Sequence, residues 1–129
     1  MANMVLFSAI QGRVLDNGKA VAGAQIERSW NWGWKSEDGA DRTSTAADGS
    51  FALPAVVRSS LLGSLLPHQP MIRQIITIQH GGKTYKAWAH HKFNYEHNSE
   101  NEGRALRITC RLETEPARRS EVFGICEFD

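Results

Sequence analysis

Three tryptophans at alternate positions are the first feature of this sequence with the chemistry to bind something. Trp30, Trp32 and Trp34 lie in the stretch RSWNWGWKSED, residues 28–38. If this stretch is one extended strand, all three indoles lie on the same face. Such a row is either a contact surface, for which Trp is a preferred hot-spot residue, or a set of anchors for a small core. The sequence leaves both interpretations open.

A leucine-rich turn further along the chain has the same two interpretations. Four leucines have the spacing of one helical face: Leu61, Leu62, Leu65 and Leu66. Gly63 and Pro67 limit this helix to a turn or two. The leucines either plug an open end of the fold or present apolar area to a partner. We therefore take the three tryptophans and four leucines as candidate partner-binding residues.

The histidines, serines and acids form no recognisable catalytic or metal-binding motif. The five histidines are His68, His80, His90, His91 and His97, and none has the His-x-x-x-His spacing of a metal site. His90 and His91 are adjacent, so on a strand they point to opposite faces. There is no Gly-x-Ser-x-Gly motif, and the acids at 37–38 and 96–102 are expected to be solvated loop charge. We predict no catalytic residue, no metal and no cofactor. A hydrolase that uses His90 or His91 beside a carboxylate is a third-ranked hypothesis.

The two cysteines can be placed by strand register. If the last two strands form a hairpin centred near residues 117–118, Cys110 lies directly opposite Cys126. Directly opposed residues of antiparallel strands are within reach of a disulfide. The pair is therefore either a disulfide or two small buried thiols. For a cytoplasmic chain, we expect thiols.

Composition indicates a single globular domain over residues 1–129. The chain is 41% hydrophobic and 22% charged, which is too apolar for a disordered protein. Its net charge of +1 gives no broad field that would attract nucleic acid or anionic lipid. The N-terminus lacks the basic region of a signal peptide, and no apolar run is long enough to cross a bilayer. We expect a cytoplasmic protein that does not bind membranes.

The dominant period along the chain is two, which is typical of strands. Residues 10–14, 22–27 and 106–112 show it, residues 71–80 are predicted to be a strand dense in Ile, and turns are indicated at DNGK (16–19) and Gly81-Gly82. The stretch SEDGADRTSTAADG, residues 36–49, is predicted to be a polar loop, either without regular structure or with a short strand around residues 43–46. Seven or eight short strands with at most one short helix favour an antiparallel β-sandwich.

The first 55 or so residues resemble a known group of β-sandwiches. The segments IQGRVLDNGKAVAGAQIERS and TSTAADGSFALP are similar to carboxypeptidase regulatory-like domains, which implies a transthyretin-like (prealbumin-like) fold. The rest resembles small stand-alone bacterial proteins of uncharacterised function. One enzyme of the transthyretin-like group, hydroxyisourate hydrolase, uses an N-terminal His and a C-terminal Tyr-Arg-Gly-Ser. Here no His precedes His68 and the chain ends CEFD, so that activity is not expected.

Together these features predict a non-enzymatic protein-interaction module with one cognate protein partner. In its most specific form, the hypothesis is an immunity or adaptor protein for a secreted bacterial toxin. The alternative is a carbohydrate or small-molecule binding module that uses the tryptophans as a stacking platform. Nucleic acid is disfavoured because Glu37, Asp38 and Asp41 would repel phosphate. An exposed edge strand would also permit a homodimer.

Overall fold

The computed structural model describes residues 3–59 and 66–129. Two short 3-10 turns interrupt the strands, at Gly33–Lys35 and Ser99–Asn101. No helix in the described part of the chain is long and apolar enough to span a membrane. These residues form thirteen strands: β1 (Asn3–Phe7), β2 (Ile10–Asp16), β3 (Lys19–Ala20), β4 (Gln25–Trp32), β5 (Glu37–Ser44), β6 (Ser50–Leu53), β7 (Val56–Ser59), β8 (Ile72–His80), β9 (Lys83–Lys92), β10 (Leu106–Arg111), β11 (Ala117–Arg119), β12 (Val122–Gly124) and β13 (Cys126–Phe128).

Two large sheets and one small ribbon make up the described structure. The six-stranded sheet has the order β11-β12-β9-β8-β4-β5, and every pairing in it is antiparallel. The five-stranded sheet has the order β13-β10-β2-β3, with β6 also paired to β2. Strands β1 and β7 pair as a separate ribbon. The all-β sandwich that the sequence predicts is confirmed, with one local difference: β2 and β10 run parallel.

The core lies between the inner faces of the two large sheets. Ile26, Ile76 and Ile78 contribute fully buried side chains from the six-stranded sheet, and Ile10 and Val14 do so from the five-stranded sheet. The period-two pattern identifies Ile10, Val14 and Ile26, and the Ile-rich run at 71–80 contains the other two. Residues at the intervening positions of the same strands are largely exposed, so each large sheet has a solvent-facing outer surface.

Two predicted turns are present with the backbone geometry that their sequences favour. Asn17 and Gly18 have φ values of 51° and 84° between β2 and β3. Gly81 and Gly82 have φ values of 59° and 77° between β8 and β9. Consecutive positive φ angles give a turn whose twist matches that of the strands it joins. Both hairpin predictions are confirmed.

The structure corrects the prediction of a polar loop over residues 36–49. Most of this stretch is β5, an eight-residue edge strand paired with β4 along its whole length. Its polar side chains are used in cross-strand contacts. Arg28 Nε donates to Asp41 Oδ1 at 2.9 Å, and Asn31 Nδ2 donates to Asp38 Oδ1 at 2.7 Å. A charged edge strand also resists pairing with another chain.

Cys110 and Cys126 form a disulfide that joins β10 to the C-terminal strand β13. They are direct partners in the β10–β13 register, as the sequence predicts, with their Cα atoms 4.0 Å apart. The expectation of two thiols is corrected, because direct opposition brings the sulfurs within bonding reach. The two strands are not a simple hairpin, since β11 and β12 lie between them in the chain and join the other sheet.

We predict that reducing this disulfide lowers the free energy of unfolding by about 2–4 kcal/mol, because the bond restricts the unfolded chain. Urea unfolding with and without reductant measures the change. The matched control is the Cys110→Ala, Cys126→Ala variant, whose unfolding curve should not respond to reductant. Identical curves for the oxidised and reduced wild-type chain would contradict the prediction.

Candidate functional site

Two of the three alternating tryptophans belong to the core. Trp30 is 9% exposed and Trp32 is 2% exposed. Trp32 Nε1 donates to the Tyr95 hydroxyl at 2.9 Å, and Trp30 Nε1 donates to Glu37 Oε2 at 3.2 Å. A buried indole normally has such a partner for its N–H group. The structure therefore corrects the assignment of Trp30 and Trp32 as partner-binding residues and makes them anchors.

Trp30 fits the core because a glycine lies opposite it on β5. Gly39 is its direct cross-strand partner. A Cβ atom at position 39 would lie 2.3 Å from the Trp30 ring, far inside van der Waals contact. The missing side chain therefore makes the space in which the indole packs.

Trp34 is the partly exposed member of the row. Strand β4 ends at Trp32, so Trp34 lies in the 3-10 turn and not on the strand. Its ring stacks on the His68 imidazole, with centroids 4.2 Å apart and planes 17° from parallel. Lys35 Nζ lies 4.7 Å from the same ring. These two contacts leave little of the indole face available to a stacking ligand.

The Tyr95 hydroxyl connects the core to this stacked pair. It accepts from Trp32 Nε1, which is only a donor, and lies 2.7 Å from His68 Nε2. The Leu66 carbonyl can only accept, so His68 Nδ1 donates to it at 3.0 Å, and in that tautomer of the neutral imidazole Nε2 accepts from the Tyr95 hydroxyl. Burial raises the pKa of Tyr95, although the Trp32 hydrogen bond acts in the opposite direction. This chain of bonds holds residues 66–68 against Trp34.

Three exposed apolar side chains lie at or near this end of the six-stranded sheet. Leu66, Met71 and Phe93 are 51%, 46% and 53% exposed. We call Trp34, Leu66, Met71 and Phe93 the apolar end. Of the four predicted leucines, Leu66 belongs to this surface, whereas the three at 61, 62 and 65 lie outside the described residues.

Strand register explains why Met71 and Phe93 meet. Ile72 and Lys92 are cross-strand partners, so the residues just beyond them, Met71 and Phe93, come to the same end of the sheet. Gly33 N also donates to the Met71 carbonyl at 3.0 Å, and this bond places the 3-10 turn that contains Trp34 at the same end of the sheet. The sequence analysis missed both apolar residues. Continuing the alternation of exposed residues along β9 to position 93 would have indicated Phe93.

A buried ion pair fixes the loop that follows β9. Lys92 Nζ lies 3.3 Å from Glu100 Oε1, and the two side chains are 1% and 0% exposed. Lys92 Nζ also donates to Ser99 Oγ at 2.9 Å and to the Glu96 carbonyl. The residue next to Lys92 is Phe93, so this pair positions one edge of the apolar end.

Glu100 receives further hydrogen bonds from distant parts of the chain. Ser8 donates from its backbone N at 2.9 Å and from Oγ at 2.7 Å, and Gln74 Nε2 donates at 2.9 Å. Burial alone would raise the pKa of Glu100, but the Lys92 ammonium and these donors hold it below its ordinary value. Burial lowers the pKa of Lys92, and the Glu100 carboxylate opposes that change. Both charged groups are satisfied and closed to solvent, which is typical of a structural role.

The acidic clusters are therefore only partly solvated, contrary to expectation. Besides Glu100, Glu37 accepts from Arg58 Nε at 3.1 Å and from Nη2 at 2.7 Å. This pairing holds the pKa of Glu37 below its ordinary value, against a smaller effect of burial. Sequence reasoning missed the pair because Arg58 comes from the separate β1–β7 ribbon.

The histidines do not assemble a site. His90 is half-buried, its Nδ1 lies 2.9 Å from the Glu121 carbonyl, and burial lowers its pKa. His91 is exposed on the other face of β9, as predicted. Within residues 3–59 and 66–129, no group of three or more His, Cys, Asp or Glu side chains is placed to hold a metal ion.

Comparison with known proteins identifies one family. The model of a family described as a domain of unknown function, DUF6795, matches residues 10–115. No curated protein and no solved structure matches the chain. The matched range contains β2 to β10 and all four residues of the apolar end.

We predict that Lys92→Met lowers the free energy of unfolding by about 3–5 kcal/mol, because it leaves the Glu100 carboxylate buried without a counterion. Urea denaturation at neutral pH measures the loss. The matched control is Arg42→Met, which removes an exposed ion pair with Glu27 and should cost less than about 1 kcal/mol. Equal losses in the two variants would contradict the prediction.

We also predict that Glu100 makes stability depend on acid pH. Its folded pKa lies below the ordinary value of 4.5, so its contribution is complete above that value and is lost as pH falls towards the folded pKa. The difference in unfolding free energy between wild type and Glu100→Gln should therefore shrink on acidification. Glu115→Gln, at an exposed position, provides the control. A difference that stays constant with pH would refute this role.

Proposed function

The chain belongs to the DUF6795 family, and we propose that it is a non-enzymatic protein-interaction module that binds one cognate protein through the apolar end. The observation that supports this proposal is the exposure of Leu66, Met71 and Phe93 near the end of the sheet where Trp34 lies. Contiguous exposed apolar groups are typical of protein contact surfaces. Burial of such groups by a partner contributes about 25 cal/mol for each Å² removed from water.

The apolar end is also held in place before any partner arrives. Lys92 and its buried contacts fix the start of the loop after β9, and the Tyr95 hydrogen bonds fix residues 66–68. A preordered contact surface loses less conformational entropy on binding. This rigidity favours recognition of one partner of defined shape.

The carbohydrate or small-molecule alternative ranks second. It requires an accessible indole face, but Trp30 and Trp32 are buried. Trp34, the third indole, is stacked on His68. Quenching of tryptophan fluorescence by a panel of sugars tests this alternative, and a response lost in Trp34→Ala would favour it over the protein-interaction proposal.

The narrower form of the proposal concerns the partner and the compartment. In that form the chain is a cytoplasmic immunity or adaptor protein whose partner is a secreted bacterial toxin. The disulfide between Cys110 and Cys126 counts against the cytoplasmic part, because that compartment keeps most thiols reduced. Alkylation of free thiols in intact cells before lysis shows whether the disulfide is present in the cell, since a disulfide protects both cysteines from alkylation.

We predict that Phe93→Ser or Met71→Ser abolishes capture of a single stoichiometric partner from extracts of the source cells. Truncation of a contact hot spot costs about 2 kcal/mol or more, which is roughly thirtyfold in affinity. The matched control is Val57→Ser, which changes an exposed Val on the separate β1–β7 ribbon. Circular dichroism of each variant separates lost contact from lost fold. A partner retained by all three folded variants, or no partner for the wild type, would overturn the proposal.

A further inference from the structure

The outer face of the six-stranded sheet continues directly from the apolar end. Cross-strand register places Asn31, Arg73 and His91 side by side, one row in from Met71 and Phe93. His91 and Phe93 stack with ring centroids 6.3 Å apart. The inward positions between them, such as Ile72 and Gln74, are fully buried, so the alternate residues face outwards. Apolar and polar groups therefore form one continuous surface here.

The acidic side chains of this face are occupied by neighbours. Asp38 accepts a hydrogen bond from Asn31 at 2.7 Å. Glu27 is paired with Arg42, with 3.3 Å between Oε2 and Nη2. The Arg42 guanidinium compensates the charge of Glu27, whereas the neutral Asn31 amide leaves the negative charge of Asp38 in place.

The basic side chains beside them have no such partner. Arg73 is exposed, and its side chain makes no hydrogen bond or ion pair with any residue of 3–59 and 66–129. The side chain of Lys86 likewise makes no hydrogen bond or ion pair with any residue of 3–59 and 66–129. Lys86 is the cross-strand partner of Thr77, so it lies on the same face as Arg73, farther along the sheet. Unneutralised positive charge therefore lies on this face, with Arg73 one row in from exposed Met71 and Phe93 and Lys86 farther along the sheet.

We propose that the partner segment that covers the apolar end is itself acidic and apolar. It places aliphatic or aromatic side chains on Met71 and Phe93, and carboxylates on Arg73 and Lys86. A guanidinium binds a carboxylate through two parallel hydrogen bonds, which fixes the orientation of the bound segment. The inference rests on the proposed function and specifies the chemistry of its partner.

Charge also disfavours the other possible occupants of this face. A second copy of the chain, placed face to face, would bring Arg73 and Lys86 towards their own counterparts, and like charges across an interface oppose association. A nucleic acid strand, with a phosphate at every nucleotide, would bring negative charge close to Asp38. An acidic protein segment meets the free cations, and its carboxylates can be spaced to avoid Asp38.

The test is fluorescence anisotropy of a labelled peptide that alternates glutamate with leucine and phenylalanine, titrated with the full chain. Two matched peptides replace glutamate by lysine, or the apolar residues by serine, and labelled oligothymidylate is the nucleic acid probe. We expect the acidic apolar peptide alone to bind, more weakly at higher salt. Arg73→Glu should weaken its binding by about tenfold or more, which corresponds to about 1.4 kcal/mol. The control Arg107→Glu, on the outer face of the other sheet, should leave it unchanged.

Three results would overturn the inference. They are failure of the acidic apolar peptide to bind, equal binding of any matched probe, and binding that Arg73→Glu leaves intact. Sedimentation that shows a dimer of the chain alone, disrupted by Phe93→Ser, would instead assign the face to a second copy. The capture experiment separates this inference from the proposed function. A partner lost with Phe93→Ser but kept by Arg73→Glu refutes the acidic partner alone, whereas a partner kept by both variants refutes both.

Discussion

The buried pair of Lys92 and Glu100 is the interaction on which the surface of this protein most depends. Removing two charges from water costs several kcal/mol for each ion, and their attraction repays this only when further hydrogen bonds complete the site. Here Ser8 and Gln74 supply those bonds to Glu100. Ser8 lies just before β2 and Gln74 lies on β8, so the Glu100 carboxylate has its hydrogen bonds only when these segments have assembled. Trp88 extends the network by donating to Gln74 Oε1 at 3.1 Å.

The same constraint accounts for a rigid apolar surface at the end of a sheet. Strand ends are commonly mobile, because backbone pairing stops there. In this chain Lys92 is the last residue of β9 and is anchored in the core, so Phe93 leaves the sheet in a defined direction. On β4, two strands away in the same sheet, the core residue Trp32 binds Tyr95, and Tyr95 binds His68. The exposed residues thus follow directly in the chain from residues held by buried polar contacts.

Strands could be predicted from the sequence where one face of the strand is buried and the other is exposed to solvent. The alternation from Leu106 to Leu112 predicted β10, and its continuation opposite the C-terminal strand placed Cys110 against Cys126. Strand prediction failed at β5, because an edge strand rich in Asp and Glu shows no apolar period. Burial of Glu100 was equally hidden, since it depends on partners far away in the chain. The tryptophans were ambiguous because the residue that makes room for Trp30, Gly39, is identified only by register.

Net charge conceals the electrostatic character of the surface for a related reason. The overall value of +1 is a balance between acids and bases that are used very differently. Several carboxylates are engaged inside the fold or along the edge strand, at Asp41, Glu37 and Glu100. Cations such as Arg73 are left without a counter-charge on an open sheet face. Each of these carboxylates is paired with a cation, so the pairs cancel, and the sign of this face is set by the groups left unpaired on it, among them Arg73 and Lys86. Selection of a partner by charge therefore depends on which ion pairs form within the fold. On this face the unpaired charge of Arg73 lies next to exposed apolar residues that a partner can cover.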